Sequence, residues 1–259
     1  MKFARFRAEG ATSYGIVEGD RITKVTGSLF RNPTRTSKRY KISEVKLLPP
    51  VMPRQAWCPG LNFASHLHMS STVAGHAALP KYPQPWHKGV NSLIGPGDFI
   101  SIPAESKSGP HYEGELVAVI GKTCKRVSPE EARGSIFGYT CGNDVSEREW
   151  QKGDSSLWRA KGADTFCPIG PWIETKLASS GVDMVVRLNN REVQRANTRE
   201  MIFDFGTIIS YISQFATLRP GDIVFSGTTG DTSSMKPGDV VEVEIEGIGV
   251  LRNPVKAEA

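Results

Sequence analysis

His111-Tyr-Glu-Gly-Glu-Leu-Val-Ala-Val-Ile-Gly121 is the stretch on which the reading of this chain turns. Leu116–Ile120 is apolar and rich in β-branched residues, and Gly121 closes it, which reads as a buried strand. Side chains two apart on a strand leave from the same face. Glu113 and Glu115 therefore project side by side, with Gly114 alone between them on the opposite face. Two carboxylates that close shift each other's pKa unless a cation sits between them. Asp144, just beyond a second strand-like run at Ile136–Asn143, adds a third carboxylate. Hard oxygen donors favour Mg²⁺, Mn²⁺ or Ca²⁺ over Zn²⁺. Taken alone, Glu-x-Glu is also what a solvated strand face looks like, and Glu242 with Glu244 is read in that way.

Working outward, 259 residues fit one large domain, or a main domain with a small appendage. A hydrophobic fraction of 39% and a charged fraction of 23% belong to a soluble globular protein. No apolar run reaches the ~18 residues of a membrane span. The amino-terminal Met-Lys-Phe-Ala-Arg-Phe-Arg lacks a signal-peptide apolar core, so a cytoplasmic protein without a membrane partner is expected. Cys58, Cys124, Cys141 and Cys167 have no CxxC spacing and read as reduced structural thiols. The net charge of +5 raises the question of nucleic acid. The basic residues are scattered except for Arg31, Arg35, Lys38, Arg39 and Lys41, read as a solvated loop. No recognition helix, zinc finger or aromatic RNA-binding signature accompanies them, so no nucleic-acid partner is expected. A modest positive field serves equally to steer an anionic substrate.

The first 50 residues carry short strand-like runs at Lys2–Arg7, Tyr14–Val17 and Arg21–Val25, separated by Gly-containing turns. They read as a small amino-terminal β domain (1–50), joined through Leu48-Pro-Pro-Val-Met-Pro53 to a main domain (54–257). Further strands are expected at Asp98–Ile102, Glu115–Ile120, Ile136–Asn143, Ile169–Glu174, Val182–Leu188, Asp222–Ser226, Val240–Ile245 and Gly247–Arg252. Helices are expected at Phe63–Met69, Pro129–Ala132 and Phe205–Phe215. The class is α+β, predominantly β. Ser70–Gln84 breaks periodicity and reads as a loop of the kind that covers sites. Phe225-Ser-Gly-Thr-Thr-Gly230 is a turn whose N–H and hydroxyl groups suit a carboxylate or oxyanion. The tryptophans are assigned to the core or to pocket walls, and Trp86, Trp158 and Phe166 leave room for a sizeable apolar substrate.

In order along the chain, these segments resemble the fumarylacetoacetate hydrolase family. The matching anchors are Gly60-Leu-Asn-Phe63 with His66, Lys88, Ile102-Pro103 and Tyr112-Glu113-x-Glu115. They continue with Gly142-Asn-Asp144-Val-Ser-x-Arg148-x-x-Gln151, Lys161-x-x-Asp164-Thr-Phe-x-Pro168 and Leu218-x-Pro220-Gly221-Asp222. Ser226-Gly-Thr228 and Lys236-Pro-Gly-Asp239 complete the set. The resemblance implies a mixed β-roll, a homodimer, and Mg²⁺ or Mn²⁺ held by Glu113, Glu115 and Asp144. It implies action on 2-oxo acids and 1,3-diketones such as acylpyruvates, including intermediates of aromatic catabolism. His66 and Lys161 become the catalytic candidates; Arg148, Gln151, Gly227 and Thr228 the substrate-binding ones. Asp164 is a candidate structural partner of Lys161.

One departure stands out. Hydrolytic relatives carry His-x-x-Glu where this chain has His66-Leu-His68-Met69, so the carboxylate that would orient His66 is absent. Glu105 or Glu149 replaces it in space, His68 takes over part of the role, or the reaction is a decarboxylation or enol–keto isomerisation that needs no activated water. His76, His87 and His111 read as structural.

Overall fold

Every residue of the strand Gly114–Ile120 is buried. Leu116, Val117, Val119 and Ile120 contribute about 6–12 kcal/mol of gross transfer free energy, at about 1.5–3 kcal/mol for each buried side chain. The apolar half of the strand fixes its place in the core and carries the acidic end in with it. Its side chains alternate between two cores. Leu116, Ala118 and Ile120 enter one with Val186, Val243 and Ile245. Val117 and Val119 enter the other with Cys58, Cys167, Ile169 and Phe225.

The computed structural model describes residues 1–65 and 79–258. Its first strands are β1 (Lys2–Ala8), β2 (Ala11–Glu18), β3 (Arg21–Thr26), β4 (Thr34–Lys41) and β5 (Lys46–Leu48). They are followed by β6 (Ala56–Gly60), β7 (Gln84–Lys88), β8 (Leu93–Ile94), β9 (Ile100–Ile102), β10 (Gly114–Ile120) and β11 (Ile136–Asn143). The last are β12 (Cys167–Glu174), β13 (Asp183–Leu188), β14 (Arg191–Asn197), β15 (Ile223–Phe225), β16 (Val240–Ile245) and β17 (Gly249–Ala257). The main sheet runs β4-β3-β2-β1-β12-β11-β10-β15-β6-β7, and a second runs β14-β13-β16-β17-β9. Both are mixed: β15–β6 and β17–β9 are parallel, most other pairs antiparallel. This is the predominantly β, mixed-sheet fold expected.

The helices lie where sequence chemistry puts them. Phe205–Phe215 starts on Asp204, whose carboxylate accepts from Thr207 N at 2.8 Å, and buries Phe205, Ile208, Ile209 and Ile212. Pro129–Arg133 opens with a Ser128/Glu131 capping box. Two short helices not foreseen, Arg148–Gly153 and Trp158–Gly162, follow the third carboxylate.

Several expectations change. The basic cluster at Arg31–Lys41 is mostly strand rather than loop: β4 is an outer edge of the main sheet. There Arg35 pairs with Glu18 (2.8 Å) and Lys38 with Glu9 (3.1 Å). Charged side chains on an edge strand discourage pairing with another chain, which accounts for the cluster without nucleic acid. The strands of the expected amino-terminal domain, β1 to β5, extend the main sheet, with Lys2 and Phe3 of β1 paired with Glu174 and Ile173 of β12, an arrangement that leaves the expected boundary at residue 50 as it was. Of the two places expected for the tryptophans, Trp158 takes the pocket wall: it is 76% exposed and lines two surface pockets, whereas Phe166 is wholly buried. Residues 66–69 of the expected helix, and 70–78 of the expected loop, lie outside the described residues.

At Gly114 the second sheet packs directly against β10. A Cβ there would stand 2.2 Å from Val186 Cγ2 and 3.3 Å from Val243 Cγ1, both on the second sheet. We expect Gly114→Ala to lower the unfolding free energy by about 1–3 kcal/mol through overpacking. Adding Val186→Ala should recover part of that loss. Urea unfolding of both variants checks this, and an unchanged midpoint for Gly114→Ala would contradict it.

Candidate functional site

The antiparallel register of β10 and β11 assembles the carboxylates. Gly114 faces Asn143, and the ladder runs one step further, with Asp144 N donating to Glu113 O at 2.9 Å. Asp144 thus lies beside Glu113 and Glu115, on the face of the main sheet opposite Gly114 and the second sheet. One oxygen from each of Glu113, Glu115 and Asp144 lies within 4.8 Å of the others, and all three residues are buried. The neighbouring thiols of Cys58 and Cys167 do not join them. Burial pushes Cys58 well up and Cys167 up to about 12, so both stay neutral. A buried, all-oxygen, anionic donor set fits a hard divalent cation, and these residues can hold one.

Fixed cations surround the cluster. Lys161 Nζ reaches Asp144 Oδ2 at 2.7 Å and Glu113 Oε2 at 2.9 Å. Lys88 Nζ donates to Asp144 Oδ1 at 2.5 Å, and Arg148 pairs with Glu113 Oε1. Ser146 Oγ also donates to Glu113 Oε1, at 3.0 Å. Burial acts to lower the Lys161 pKa, but the charges of Asp144 and Glu113 outweigh it and the net shift is upward, so this lysine stays charged. Glu115 is treated differently. Its carboxylate accepts from a backbone group, Gly227 N, at 2.6 Å. Burial first, then the charges of Asp144 and Glu113, hold its pKa well above the usual carboxylate range.

The Gly227 turn is built for that contact. Gly227 has φ +82°, and a Cβ on it would meet Asn62 Cβ at 2.9 Å. Asn62 ties the turn down from behind, donating to Ser226 O at 2.7 Å and Phe203 O at 3.0 Å. Thr228 Oγ1 donates to Gly114 O at 3.1 Å and accepts from Gln194 Nε2 at 3.0 Å. Gln194 Oε1 in turn accepts from Gly114 N at 3.3 Å, so β14 of the second sheet steadies both the turn and the acidic strand.

Of the residues singled out from sequence, Glu113, Glu115, Asp144, Lys161 and Arg148 come together here. Gln151 lies one helical turn beyond Arg148 and accepts from its guanidinium at 2.8 Å. Gly227 and Thr228 adjoin the cluster, with their N–H and hydroxyl engaged as above. His66 lies outside the described residues, as do His68, Met69 and His76. Asp164 is not the partner of Lys161; it is exposed and accepts from Asn91 Nδ2 at 2.7 Å. Glu105 and Glu149 are exposed. His111 stays outside the carboxylate cluster. Its Nδ1 lies 2.9 Å from Thr232 Oγ1, and burial, then Arg148, lower its pKa. Sequence reasoning left out Lys88, Ser146 and Gln194. Lys88 appeared among the matching anchors but carried no role, and Gln194 lies on a strand whose polar sequence gave no signal.

Residues 55–256 match the family model described as fumarylacetoacetate (FAA) hydrolase C-terminal, and residues 1–50 match one described as Rv2993c-like, N-terminal. A solved structure of 5-carboxymethyl-2-hydroxymuconate delta-isomerase from Mycobacterium smegmatis is 35% identical, with each chain covered to 100% and a TM-score of 0.92. The mitochondrial oxaloacetate tautomerase of Xenopus laevis is 37% identical over 82% of this chain and 69% of its own. Maleylpyruvate hydrolase from Sphingobium sp. SYK-6, solved with manganese(II) and pyruvate, is 27% identical over 100% of both chains, with a TM-score of 0.83.

The raised pKa of Glu115 has a measurable sign. Between the unfolded carboxyl value and the higher folded one, the folded protein binds the extra proton. Stability without divalent metal therefore falls as pH rises through that interval. In the presence of a chelator, we expect Glu115→Gln to be more stable than the parent at neutral pH, with a gap that widens as pH rises above the ordinary carboxylate range. Urea unfolding at each pH tests this, and a parent whose advantage grows with pH would contradict it.

Proposed function

The chain belongs to the fumarylacetoacetate hydrolase family, and we propose that it is a divalent-metal-dependent enzyme that cleaves a C–C bond in an acylpyruvate-like or other 1,3-diketo or 2-oxo acid. The observation that carries this reading is the Lys161 ammonium, held 2.7 and 2.9 Å from two carboxylates of a three-carboxylate cluster. Glu113, Glu115 and Asp144 would hold Mg²⁺ or Mn²⁺, which when bound supplies Lewis acidity toward a keto oxygen. The charges favour such a substrate. Lys88, Lys161 and Arg148 balance the three carboxylates. A divalent cation then leaves a net +2, matched to a carboxylate plus an enolate.

Within this reading Lys161 presents its N–H groups to the oxygen on which negative charge develops, in surroundings of low dielectric. Arg148, with Gln151 fixing its guanidinium, orients the far end of the substrate. The 226–230 turn closes the other side, Gly227 fixing Glu115 and Thr228 bordering the substrate. His66 is assigned the proton transfer to or from water. The acting form is read as a cytoplasmic homodimer. Among the described residues no helix is long and apolar enough to cross a membrane.

Met69 favours a second reading on the same site: decarboxylation or enol–keto isomerisation, which needs enolate stabilisation but no activated water. The likeness to an oxaloacetate tautomerase supports it. Both readings are tested by incubating the protein with Mg²⁺ and a series of acylpyruvates and oxaloacetate in H₂¹⁸O. Cleavage with ¹⁸O in the released carboxylate is the expected result. Exchange at C3 or loss of CO₂ without ¹⁸O uptake would replace the first reading by the second, and no change in any substrate would sink both. We expect Lys161→Met to lower kcat by about 10²–10³-fold, as removal of one such donor does.

A further inference from the structure

We infer that Lys88 is a positioning residue that aligns both halves of the site, holding the Asp144 carboxylate and the backbone of Lys161 with a single ammonium. The inference rests on the reading of Asp144 as a metal ligand and deepens it.

Lys88 ends β7, and its side chain has 0% exposure, whereas that of Lys161 has 8%. Burying an ammonium costs several kcal/mol unless it is paired and fully hydrogen-bonded. Lys88 meets that condition. Its three donors are matched by Asp144 Oδ1 at 2.5 Å, Lys161 O at 2.5 Å and Val145 O at 3.4 Å. Three chain segments therefore converge on one nitrogen: the end of an edge strand, the residues after β11, and the last turn of the helix Trp158–Gly162. The Trp86 ring lies against both lysines, its centroid 5.7 Å from Lys88 Nζ and 5.3 Å from Lys161 Nζ.

The division of labour follows from geometry. Asp144 gives Oδ1 to Lys88 and Oδ2 to Lys161, so the two lysines together set the plane of the carboxylate. Lys161 touches carboxylates and is the less enclosed of the two, as a group that meets substrate must be. Lys88 is sealed from any substrate, so it acts only through Asp144 and Lys161. By gripping the carbonyl of Lys161, it also fixes where that side chain begins.

Coulomb's law and positioning make opposite forecasts for this residue. Deleting a cation beside a cation site strengthens metal binding if charge alone matters. Deleting the group that orients a ligand weakens it, typically 10–100-fold. Lys161→Met removes the same charge, together with its own contacts to Asp144 and Glu113, but leaves Lys88 holding Asp144 Oδ1 and both backbone carbonyls. With that grip intact the lost repulsion toward the metal prevails, so the pair of variants separates what Lys88 positions from what its charge does.

The test is Mn²⁺ binding to the purified full-length chain without substrate, read as free Mn²⁺ by electron paramagnetic resonance. We expect Lys88→Met to weaken Mn²⁺ binding by about 10–100-fold, and Lys161→Met to bind at least as tightly as the parent. At saturating Mn²⁺, Lys88→Met should still show a lowered kcat, because Lys161 remains misplaced. Lys88→Arg, which keeps the charge but not the three-way fit, should also bind more weakly and serves if the methionine variant does not fold. Parental Mn²⁺ affinity in either folded Lys88 variant overturns the inference, as does an equal loss in Lys161→Met. A parent that binds Mn²⁺ but turns over no 2-oxo acid sinks the proposed reaction and leaves this binding test valid. A parent that binds no Mn²⁺ overturns both.

Discussion

Three carboxylates held within 4.8 Å of one another inside a sheet are the constraint to which the rest of this structure answers. Each would cost several kcal/mol to bury without a partner. Two are neutralised by lysine and arginine side chains drawn from β7 and from the two short helices. The third, Glu115, accepts from a backbone N–H, and burial, then the charges of Asp144 and Glu113, raise its pKa. The Gly227 turn, the Asn62 bonds behind it and the Gln194 bridge from the second sheet all serve to hold that arrangement. The apolar half of β10 anchors it in the core.

Such a site suits a positive ion. In the proposed reactions the stabilisation of an enolate is common to hydrolysis, decarboxylation and isomerisation of 2-oxo acids, and it would fall to a metal on the carboxylates, to Lys161 and to Arg148. The carboxylates and Lys161 are buried and braced by the fold. What separates the reactions is the handling of water, which the sequence ties to His66 and Met69. Similarity to a hydrolase, an isomerase and a tautomerase fits a site whose shared half is fixed and whose variable half lies elsewhere.

Much of this was legible in the chain itself. The alternation of Glu113-Gly-Glu115 on an apolar strand announced both the strand and its acidic face, and the caps at Ser128 and Asp204 marked their helices. Most strands in which apolar residues recur were read correctly, but interior β6 (Ala-Trp-Cys-Pro-Gly) was not, because its Pro59-Gly60 reads as a turn. β4 (Thr-Arg-Thr-Ser-Lys-Arg-Tyr-Lys) and β14 (Arg-Glu-Val-Gln-Arg-Ala-Asn) were missed because edge strands bury too little to show a pattern. The pairing of β1 with β12 and the bonds of Lys88 to Asp144 and of Gln194 to Gly114 were hidden for another reason. Each of these contacts spans more than 50 residues of sequence, and no local periodicity encodes a contact of that range. The turn at Gly227 was recognised as a donor, but that its donor is claimed by Glu115 is likewise a long-range fact.

On the proposed reading, Glu113, Glu115 and Asp144 form one divalent-metal site that also accepts a 2-oxo acid head. The most direct measurement is anomalous diffraction at the manganese edge from crystals soaked with Mn²⁺ and oxalate, a mimic of an enolised 2-oxo acid. A single strong peak is expected at bonding distance, about 2.0–2.4 Å, from one oxygen of each carboxylate, with oxalate on the same ion and within hydrogen-bond reach of Lys161. A peak elsewhere, or Mn²⁺ bound without one of the three carboxylates, would contradict it.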